Sequence, residues 1–369
     1  MKVMMCGGGT GGHVNPALSI AAAIRAANPD AEIEFVGTRK GMENNLVPRA
    51  GYKISYVKVR GFRRSLSPKN IDAAIKAVTS VITAKKILKN FKPDIVIGTG
   101  GYVSWPTVKA AKKLGIPTLI HEQNAYPGMT TRMLSHFADE ICISFDESRR
   151  FFDEKVRSKL ILTGNPVSTT DVTRAEARKA LGLKDDQVYI LSYGGSLGAE
   201  KVNEYCFDLL SRIAGRPDLY QTHAVGHAGY PKYSALARER GLDKADNIEI
   251  LEYIYDMPLR QAAADVIVCR AGAITLAELA CMGKAAVLIP SPNVTDDHQY
   301  KNASVLAKAC AAVVFRESEL DGAKLTEAVL SLAGDPEKRR IAETNIRKFA
   351  RPAAAETIAA RAMELAAKK

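Results

Sequence analysis

Long hydrophobic runs are absent from this chain of 369 residues. No stretch approaches the roughly 18 to 20 apolar residues that cross a bilayer as one helix, so the sequence predicts no membrane span. The chain runs from Met1 directly into an apolar segment and a glycine loop, a pattern that is not typical of a secretory signal. We therefore expect a protein that stays in the cytoplasm.

Cysteine is scarce and scattered, with six residues and neither a Cys-x-x-Cys pair nor a Cys/His cluster. Structural zinc sites need such clusters, so the pattern predicts free thiols in a reducing compartment and no zinc. The adjacent acids Asp296 and Asp297 are more typical of a solvated loop than of a cation site. We therefore expect no metal and no cofactor.

Negative charge is in short supply: 52 Lys and Arg against 40 Asp and Glu give a formal net charge of +12. Such an excess favours anionic partners, which include nucleic acids, anionic membranes and phosphorylated substrates. Residues 57–93 carry ten Lys and Arg against one acid, Asp72, and apolar residues at helical spacing. Those apolar residues are Ile71, Ile75, Val78 and Ile82, preceded by Phe62 and Leu66. The segment indicates either an ordinary helix with a solvated basic face or an apolar patch, ringed by cations, that binds an anionic bilayer.

A glycine loop follows the first predicted strand, residues 2–6. Its spacing Gly7-x-Gly9-x-x-Gly12 matches a dinucleotide fingerprint. The second predicted strand, however, lacks the terminal acid that such enzymes use to bind ribose. The glycines still let backbone N–H groups approach an anion where a helix, predicted to open at Pro16, begins. His13 ends this loop, and it is either a helix-capping or core residue or a catalytic one.

A second anion site is predicted in residues 264–290, which are typical of a strand, a small-residue turn, a helix and another strand. Thr275 is predicted to cap this helix, whose free N–H groups favour a phosphate or diphosphate. Glu278, about one turn into the helix, can accept two hydrogen bonds from a ribose diol. The pattern indicates either a nucleotide diphosphate site or an ordinary αβ unit with a surface glutamate.

The two halves of the chain share one plan. Residues 94–101, DIVIGTGG, parallel residues 265–272, DVIVCRAG, and residues 2–12 resemble residues 188–199. We therefore predict an α/β protein of two doubly wound domains in tandem, joined near Gly164-Asn165-Pro166, with a ligand cleft between their glycine loops. The predicted domains are residues 1–164 and 165–345, and helices in 346–369 are expected to pack back toward the first domain.

Seven motifs, in order along nearly the whole chain, resemble the MurG family of glycosyltransferases, whose GT-B fold consists of two tandem Rossmann-like domains. The motifs are Gly8-Gly-Thr-Gly-Gly-His13, Gly100-Gly-Tyr-Val-Ser104, His121-Glu-Gln-Asn124, Gly164-Asn-Pro-Val167, Gly194-Gly-Ser-Leu-Gly-Ala199, Ala273-Ile-Thr-Leu-Ala-Glu278 and Gln299-Tyr-Lys-Asn-Ala303.

The resemblance implies an inverting enzyme of peptidoglycan biosynthesis, with roles in cell shape, division and the cell cycle. N-acetylglucosamine would move from UDP-N-acetylglucosamine to the muramyl 4-hydroxyl of undecaprenyl-diphospho-N-acetylmuramoyl-pentapeptide, which converts lipid I into lipid II. The implied location is peripheral, on the anionic inner leaflet of the cell membrane. Other cell-wall synthesis or division proteins are implied partners, and nucleic acid is not.

The resemblance also implies a donor site and an acceptor site. The donor residues are Thr10, Gly11, Gly12 and Asn124 near the sugar, Ser196 at the diphosphate, Ile254 at the uracil, Ala273, Ile274, Thr275, Leu276, Ala277 and Glu278 at phosphate and ribose, and Gln299 at a sugar hydroxyl. The residues expected to hold the acceptor diphosphate are Gly9, Gly100, Gly101 and Tyr102. The family often has an arginine near the uracil just after Gly-Asn-Pro-Val, where this chain has Ser168, with Arg174 further on.

The implied chemistry needs a base for the acceptor hydroxyl and positive dipoles for the departing UDP. We expect His13 to be the base, with Glu122 either orienting it or acting as the base itself. Helix N-termini and Ser196 can stabilise the charge that grows on the β-phosphate, so the reaction needs no metal ion.

Two other functions remain open at this stage. A UDP-N-acetylglucosamine 2-epimerase would share the tandem architecture but would need no lipid acceptor. A basic nucleic-acid-binding protein would bind DNA or RNA with an affinity that falls steeply with salt. The chain shows no helix-turn-helix and no stacking aromatics beside its basic segment, which disfavours the second alternative.

Overall fold

The computed structural model describes residues 1–59, 69–167, 171–195 and 197–368, with the side chains of the third helix described from Thr79 onward. The chain forms two compact units. Unit 1 consists of Met1–Val167 with Arg351–Lys369, and unit 2 consists of Ser168–Ala350.

Unit 1 is built on a sheet of seven parallel strands. They are β1 (Lys2–Gly7), β2 (Glu32–Gly37), β3 (Lys53–Tyr56), β4 (Ile95–Gly100), β5 (Thr118–Glu122), β6 (Glu140–Ile143) and β7 (Leu160–Leu162). Their order across the sheet is β3-β2-β1-β4-β5-β6-β7. In register, Val3 of β1 pairs with Ile33 on one side and with Ile95 on the other.

Unit 2 is built on a sheet of six parallel strands. They are β8 (Val188–Tyr193), β9 (Leu219–Ala224), β10 (Ile248–Leu251), β11 (Val266–Cys269), β12 (Ala285–Leu288) and β13 (Val313–Val314). Their order is β10-β9-β8-β11-β12-β13. In each unit the first strand therefore lies beside the fourth strand. The prediction that the two halves share one plan is confirmed.

Helices connect the strands, as parallel pairing requires. They are α1 (Gly11–Ala27), α2 (Glu43–Arg49), α3 (Lys69–Phe91), α4 (Ser104–Lys113), α5 (Met129–Leu134), α6 (Arg174–Ala180), α7 (Glu200–Ile213), α8 (Tyr230–Glu239), α9 (Met257–Ala263), α10 (Ala273–Met282), α11 (His298–Lys308), α12 (Gly322–Gly334), α13 (Pro336–Arg347) and α14 (Ala354–Ala367). Short 3-10 segments cover Asp146–Phe151, Glu154–Lys159, Leu242–Lys244, Thr295–Asp297 and Glu317–Glu319. None of the helices within the described residues is long and apolar enough to span a membrane.

Helix α1 begins earlier than the sequence suggested. The expected start was Pro16, but the N–H groups of His13 and Val14 both donate to the Thr10 carbonyl at 3.1 Å and close the first turn at Gly11. Pro16 lacks the N–H that would bond to the preceding turn, and α1 nevertheless continues through it. As a result, His13 lies in the first turn of α1.

The core of unit 1 lies on both faces of its sheet, because successive side chains of a strand point to opposite faces. Val3 and Met5 of β1 belong to one buried cluster, and Met4 and Cys6 belong to the other. Helix α14 packs against α1 and places Ile358 in the first cluster.

An ion pair also attaches α14 to the sheet of unit 1. The Arg361 Nε donates to the buried Glu140 Oε2 at 2.9 Å, and Glu140 opens β6. The last described helix is therefore an integral part of unit 1.

Candidate functional site

Two glycine loops of unit 1 meet backbone to backbone at the carboxyl edge of its sheet, beyond β1 and β4. A Cβ atom on Gly101 would lie 2.2 Å from the Gly8 carbonyl oxygen, and one on Gly100 would lie 2.7 Å from Nδ1 of His13. Both glycines have positive φ, +77° and +106°, which L side chains rarely adopt. Only glycine fits at these positions. Because glycine has no side chain, the loop after β4 can lie directly against the His13 ring.

The half-buried His13 ring is held by two acceptors. Its Nδ1 lies 3.1 Å from the Thr99 carbonyl oxygen and 3.1 Å from Oε1 of Gln123. An oxygen acceptor on each side requires Nδ1 to carry the proton, so Nε2 keeps its lone pair. In return, Thr99 Oγ1 donates to the His13 carbonyl at 2.7 Å. The imidazole is thus fixed in a form that can accept a proton through Nε2.

Glu122 forms hydrogen bonds with the loop that follows it. Its Oε1 accepts from the Asn124 N–H at 3.0 Å and from the Asn124 side-chain amide at 3.1 Å, and its Oε2 accepts from the Gly128 N–H at 3.0 Å. No hydrogen bond in the described part of unit 1 joins it to His13. Buried at 2% exposure, Glu122 braces the loop after β5 and thereby positions Asn124.

A second buried acid, Glu43 of α2, supports the loop after β1, and sequence reasoning missed it. It accepts from the N–H of Gly9 and from the N–H and hydroxyl of Thr38, each at 2.8 Å. The Gly9 N–H, which was expected to contact the acceptor diphosphate, therefore has a partner within unit 1. The Gly100 N–H is likewise taken by Ser104 Oγ at 3.0 Å.

The remaining predicted residues of unit 1 lie around the same edge. Thr10 is the N-cap of α1, and Gly11 and Gly12 form its first turn. Backbone N–H groups in a first turn have no partner within the helix and point toward a ligand. Tyr102 is 57% exposed in the loop after β4.

In unit 2 the predicted residues 273–278 form the start of α10. The N-cap is Gly272, and no side chain caps the helix, so the expectation that Thr275 caps it is wrong. Thr275 lies inside the first turn instead, because Ala273 already begins the helix. Leu276 is buried, with 2% exposed, so only its backbone can contact a ligand. The first turn of α10 therefore presents N–H groups at the carboxyl edge of the second sheet.

Glu278 lies half-buried on α10. Burial raises the pKa of its carboxyl group to about 6, although a hydrogen bond from Gln261 acts in the opposite direction. The Gln261 amide also donates to the hydroxyl of Tyr193, the last residue of β8, at 3.0 Å. A half-buried carboxylate gains from hydrogen-bond donors that replace the water it has lost.

Ile254 and Gln299 lie in unit 2 on segments that follow β10 and β12. Ile254 is buried, with 4% exposed, between exposed neighbours. Gln299, near the start of α11, accepts from the Ser291 N–H through its Oε1 at 2.8 Å. The predicted Ser196 and the variant position Ser168 lie outside the described residues.

Arg174 forms an ion pair with Asp265. Its Nε donates to Asp265 at 3.1 Å, and Asp265 also accepts from the backbone N–H of Tyr189. Asp265 precedes β11, so Arg174 lies at the amino edge of the sheet, opposite the glycine loops. Asp297 pairs with Arg316 at 2.9 Å, and no group of three metal-ligating side chains occurs among the residues that the structure describes.

Comparison with known proteins identifies the family. Residues 3–143 match the glycosyltransferase family 28 N-terminal domain, and residues 189–358 match the glycosyltransferase family 28 C-terminal domain. The chain belongs to this family. It is therefore a glycosyltransferase, and the predicted fold of two α/β domains is the one that the family has.

Individual relatives agree with the family match. The UDP-N-acetylglucosamine--N-acetylmuramyl-(pentapeptide) pyrophosphoryl-undecaprenol N-acetylglucosamine transferase of Acetivibrio thermocellus is 45% identical over 340 residues, 92% of this chain and 91% of the relative. The crystal structure of Acinetobacter baumannii MurG is 32% identical, with a TM-score of 0.80 over 98% of this chain and 99% of that one. The Neisseria meningitidis UDP-GlcNAc 2-epimerase bound to UDP-GlcNAc covers 100% of both chains with a TM-score of 0.67 but is 16% identical, a likeness of fold alone.

Changing Glu43 to Gln should destabilise unit 1. The amide has one acceptor oxygen in place of two and turns an NH₂ group toward N–H donors, so we expect a loss of about 2 kcal/mol of unfolding free energy. The measurement is thermal unfolding followed by circular dichroism, with Glu34→Gln, a partly exposed residue of β2, as the control. Equal melting temperatures for the two variants would contradict this role of Glu43.

Proposed function

We propose that this glycosyltransferase moves N-acetylglucosamine from UDP-N-acetylglucosamine to the muramyl 4-hydroxyl of undecaprenyl-diphospho-N-acetylmuramoyl-pentapeptide, with inversion. The name of the Acetivibrio thermocellus relative supports this donor and this acceptor. The main support for acid–base chemistry at this site is the tautomer of His13. Its Nδ1 faces two acceptors, so the unprotonated Nε2 can take the proton of an attacking hydroxyl.

His13 is the proposed base, in preference to Glu122. Both oxygens of Glu122 accept hydrogen bonds from backbone N–H groups. If Glu122 acted as the base, these bonds would be weakened and the loop after β5 would lose stability. His13 has one nitrogen committed to structure and the other available for chemistry. As the hydroxyl oxygen bonds to the anomeric carbon, its proton moves to Nε2, and the bond to UDP breaks.

The first turn of α10 is proposed to hold the donor diphosphate, with Glu278 on the ribose diol. Negative charge grows on the β-phosphate as UDP departs, and N–H groups already aimed at that position need no reorganisation. The helix dipole adds the equivalent of about half a positive charge at the same end. Gln299, Ile254 and Ser196 are the proposed contacts to sugar, uracil and diphosphate.

The acceptor diphosphate is proposed to lie at the first turn of α1. The N–H groups of Gly9 and Gly100 are engaged by Glu43 and Ser104, whereas those of Gly11 and Gly12 belong to a helix start. Helix starts bind phosphate through such N–H groups. In this proposal the diphosphate lies beside His13, which is next in the same turn.

A groove on unit 1 is proposed to rest on the anionic inner leaflet. We define this Trp105 groove by its lining residues, which enclose about 500 Å³: Trp105, Lys109, Met129, Arg132, Met133, His136 and Phe137. Met129 and Met133 are exposed by 53% and 47%. The Lys109 ammonium lies 4.4 Å from the Trp105 ring centre, so cations border an apolar surface. That combination suits acyl chains beneath anionic headgroups.

Helix α3 is proposed to extend this surface; it packs against α4, which carries Trp105. Its Ile82 is 54% exposed beside the basic residues Lys85, Lys86 and Lys89. Arg63, Arg64 and the rest of residues 60–68 lie outside the described residues. The described half of α3 thus supports the amphipathic alternative of the two that the sequence left open.

Replacing His13 by Ala should lower turnover about 100- to 10,000-fold, the usual contribution of a general base, with little change in donor affinity. The assay measures transfer of radiolabelled N-acetylglucosamine to a short-chain lipid acceptor. We expect a chelator to leave wild-type transfer unchanged. Release of UDP without the acceptor would favour an epimerase, and normal turnover of the variant would place the base elsewhere.

Donor affinity should weaken as the pH falls through about 6, the raised pKa of Glu278. The ionised carboxylate accepts two hydroxyl donors and its protonated form does not, so affinity is complete above that pH and falls below it. Titration calorimetry with UDP-N-acetylglucosamine at pH 7.5 and 5 should show a loss of about tenfold, since about a tenth of the group is ionised at the lower pH. In Glu278→Gln this dependence should disappear; its persistence would assign it to another group.

The double variant Met129→Glu, Met133→Glu should bind anionic vesicles at least about tenfold more weakly, because it loses apolar burial and adds repulsion. Co-sedimentation with phosphatidylglycerol vesicles measures this binding. The matched control is Ile341→Glu on α13 of unit 2, a residue exposed by 45%. Equal binding of both variants would contradict a membrane role for the Trp105 groove.

A further inference from the structure

A buried line of hydrogen bonds runs behind the His13 ring. It starts at the Gly164 carbonyl, passes through the His121 ring and the Gln123 side chain, and ends at Nδ1 of His13. His121 and Gln123 are buried, with 1% and 3% exposed. The proposed function uses neither residue, and the sequence motif that contains them does not by itself indicate a role for Gln123.

The tautomer of His121 is fixed at the buried end of this line. Its Nε2 lies 3.0 Å from the Gly164 carbonyl oxygen, which can only accept, so Nε2 carries the ring proton and Nδ1 is an acceptor. Burial lowers the pKa of His121 to about 4, and the neutral ring therefore persists at ordinary pH. Only glycine fits at position 164, because a Cβ there would lie 2.4 Å from Arg351 Cβ.

The orientation of the Gln123 amide follows from the state of His121. Its Nε2 lies 3.0 Å from the His121 Nδ1 acceptor and 2.9 Å from the Thr99 carbonyl oxygen. Both neighbours require an N–H donor, so the amide oxygen is left to face Nδ1 of His13 at 3.1 Å. If the amide were rotated, its oxygen would face the Thr99 carbonyl oxygen, and its NH₂ group would face Nδ1 of His13.

That rotation would favour the wrong form of His13. An N–H group opposite Nδ1 stabilises the tautomer in which Nδ1 accepts and Nε2 carries the proton, and such an imidazole cannot take a proton through Nε2. The Thr99 carbonyl oxygen also accepts from Nδ1, so in the observed orientation the amide oxygen and this carbonyl favour the same tautomer. The amide also fixes the tautomer without placing a negative charge beside the ring.

We infer that Gln123, oriented by neutral His121, is a positioning residue that keeps His13 in the tautomer whose Nε2 can accept a proton. The consequence for rate rests on the proposed role of His13 as the base, but the consequence for the tautomer does not. The nearest parallel is a catalytic histidine oriented by a second group, a task usually performed by a carboxylate.

The tautomer can be read directly from the resting enzyme labelled with ¹⁵N-histidine. The chain has six histidines, and the signals of His13 are those that disappear in His13→Ala. Long-range proton–nitrogen spectra at pH 8 should show a protonated Nδ1 and an unprotonated Nε2 for His13 in the wild type. A wild-type His13 with its proton on Nε2 would overturn the inference.

The deciding variant is Gln123→Met, which preserves side-chain length and removes the amide. We expect a mixture of both His13 tautomers, a fall of about 10- to 100-fold in kcat, the range for groups that orient a metal-bound imidazole, and a KM for UDP-N-acetylglucosamine within about twofold. The control is Thr107→Val, which removes a buried hydroxyl that donates within α4. It should match the wild type in both readouts.

Two results would overturn the inference: His13 of Gln123→Met remaining wholly in the Nδ1–H form, or kcat falling equally in Thr107→Val. If Gln123→Met fails to fold, His121→Phe tests the same step, because it removes the acceptor that orients the amide. If His13→Ala turns over normally while Gln123→Met still shifts the tautomer, the base is elsewhere and the positioning role stands.

Discussion

The contact between two glycine backbones in unit 1 is the constraint on which the site depends. Gly101 approaches the Gly8 carbonyl so closely that no side chain fits between them. The same device recurs in unit 2, where a Cβ on Gly198 would lie 2.2 Å from the Val225 carbonyl oxygen. In each unit the loops after neighbouring strands are thereby pressed together, and the helix that follows starts at a defined point above the sheet edge.

Buried acids support these loops from behind, while the exposed side of each loop presents N–H groups. Glu43 and Glu122 accept donors of the loops after β1 and β5 and do not face the proposed substrates. Helix starts carry the positive potential, and the carboxylates hold those starts in position. In the proposed function, phosphate binding and structural bracing therefore belong to different groups, which avoids repulsion between these two acids and an anionic ligand.

Much of this arrangement could be predicted from the sequence, because apolar runs followed by glycines indicate parallel strands and the loops at their carboxyl ends. The start of α1 was misplaced, since Pro16 resembles a first-turn proline although the helix tolerates it further in. Glu43 was missed because nothing local marks an acid whose partners are loop donors brought near by the fold. Arg174 illustrates the same limit, because spacing along the chain could not show that it lies at the opposite edge of the sheet.

Helix α14 makes unit 1 discontinuous in the chain. Ile358, Ala359 and Ala362 fill a cluster that includes β1, and Arg361 neutralises the buried Glu140. During synthesis, unit 2 is therefore complete before the segment that finishes unit 1 has been translated. Unit 1 can therefore finish folding only after the last segment has been made. Until then, the face of α1 that packs against α14 and the carboxylate of Glu140 remain exposed to water and to chaperones.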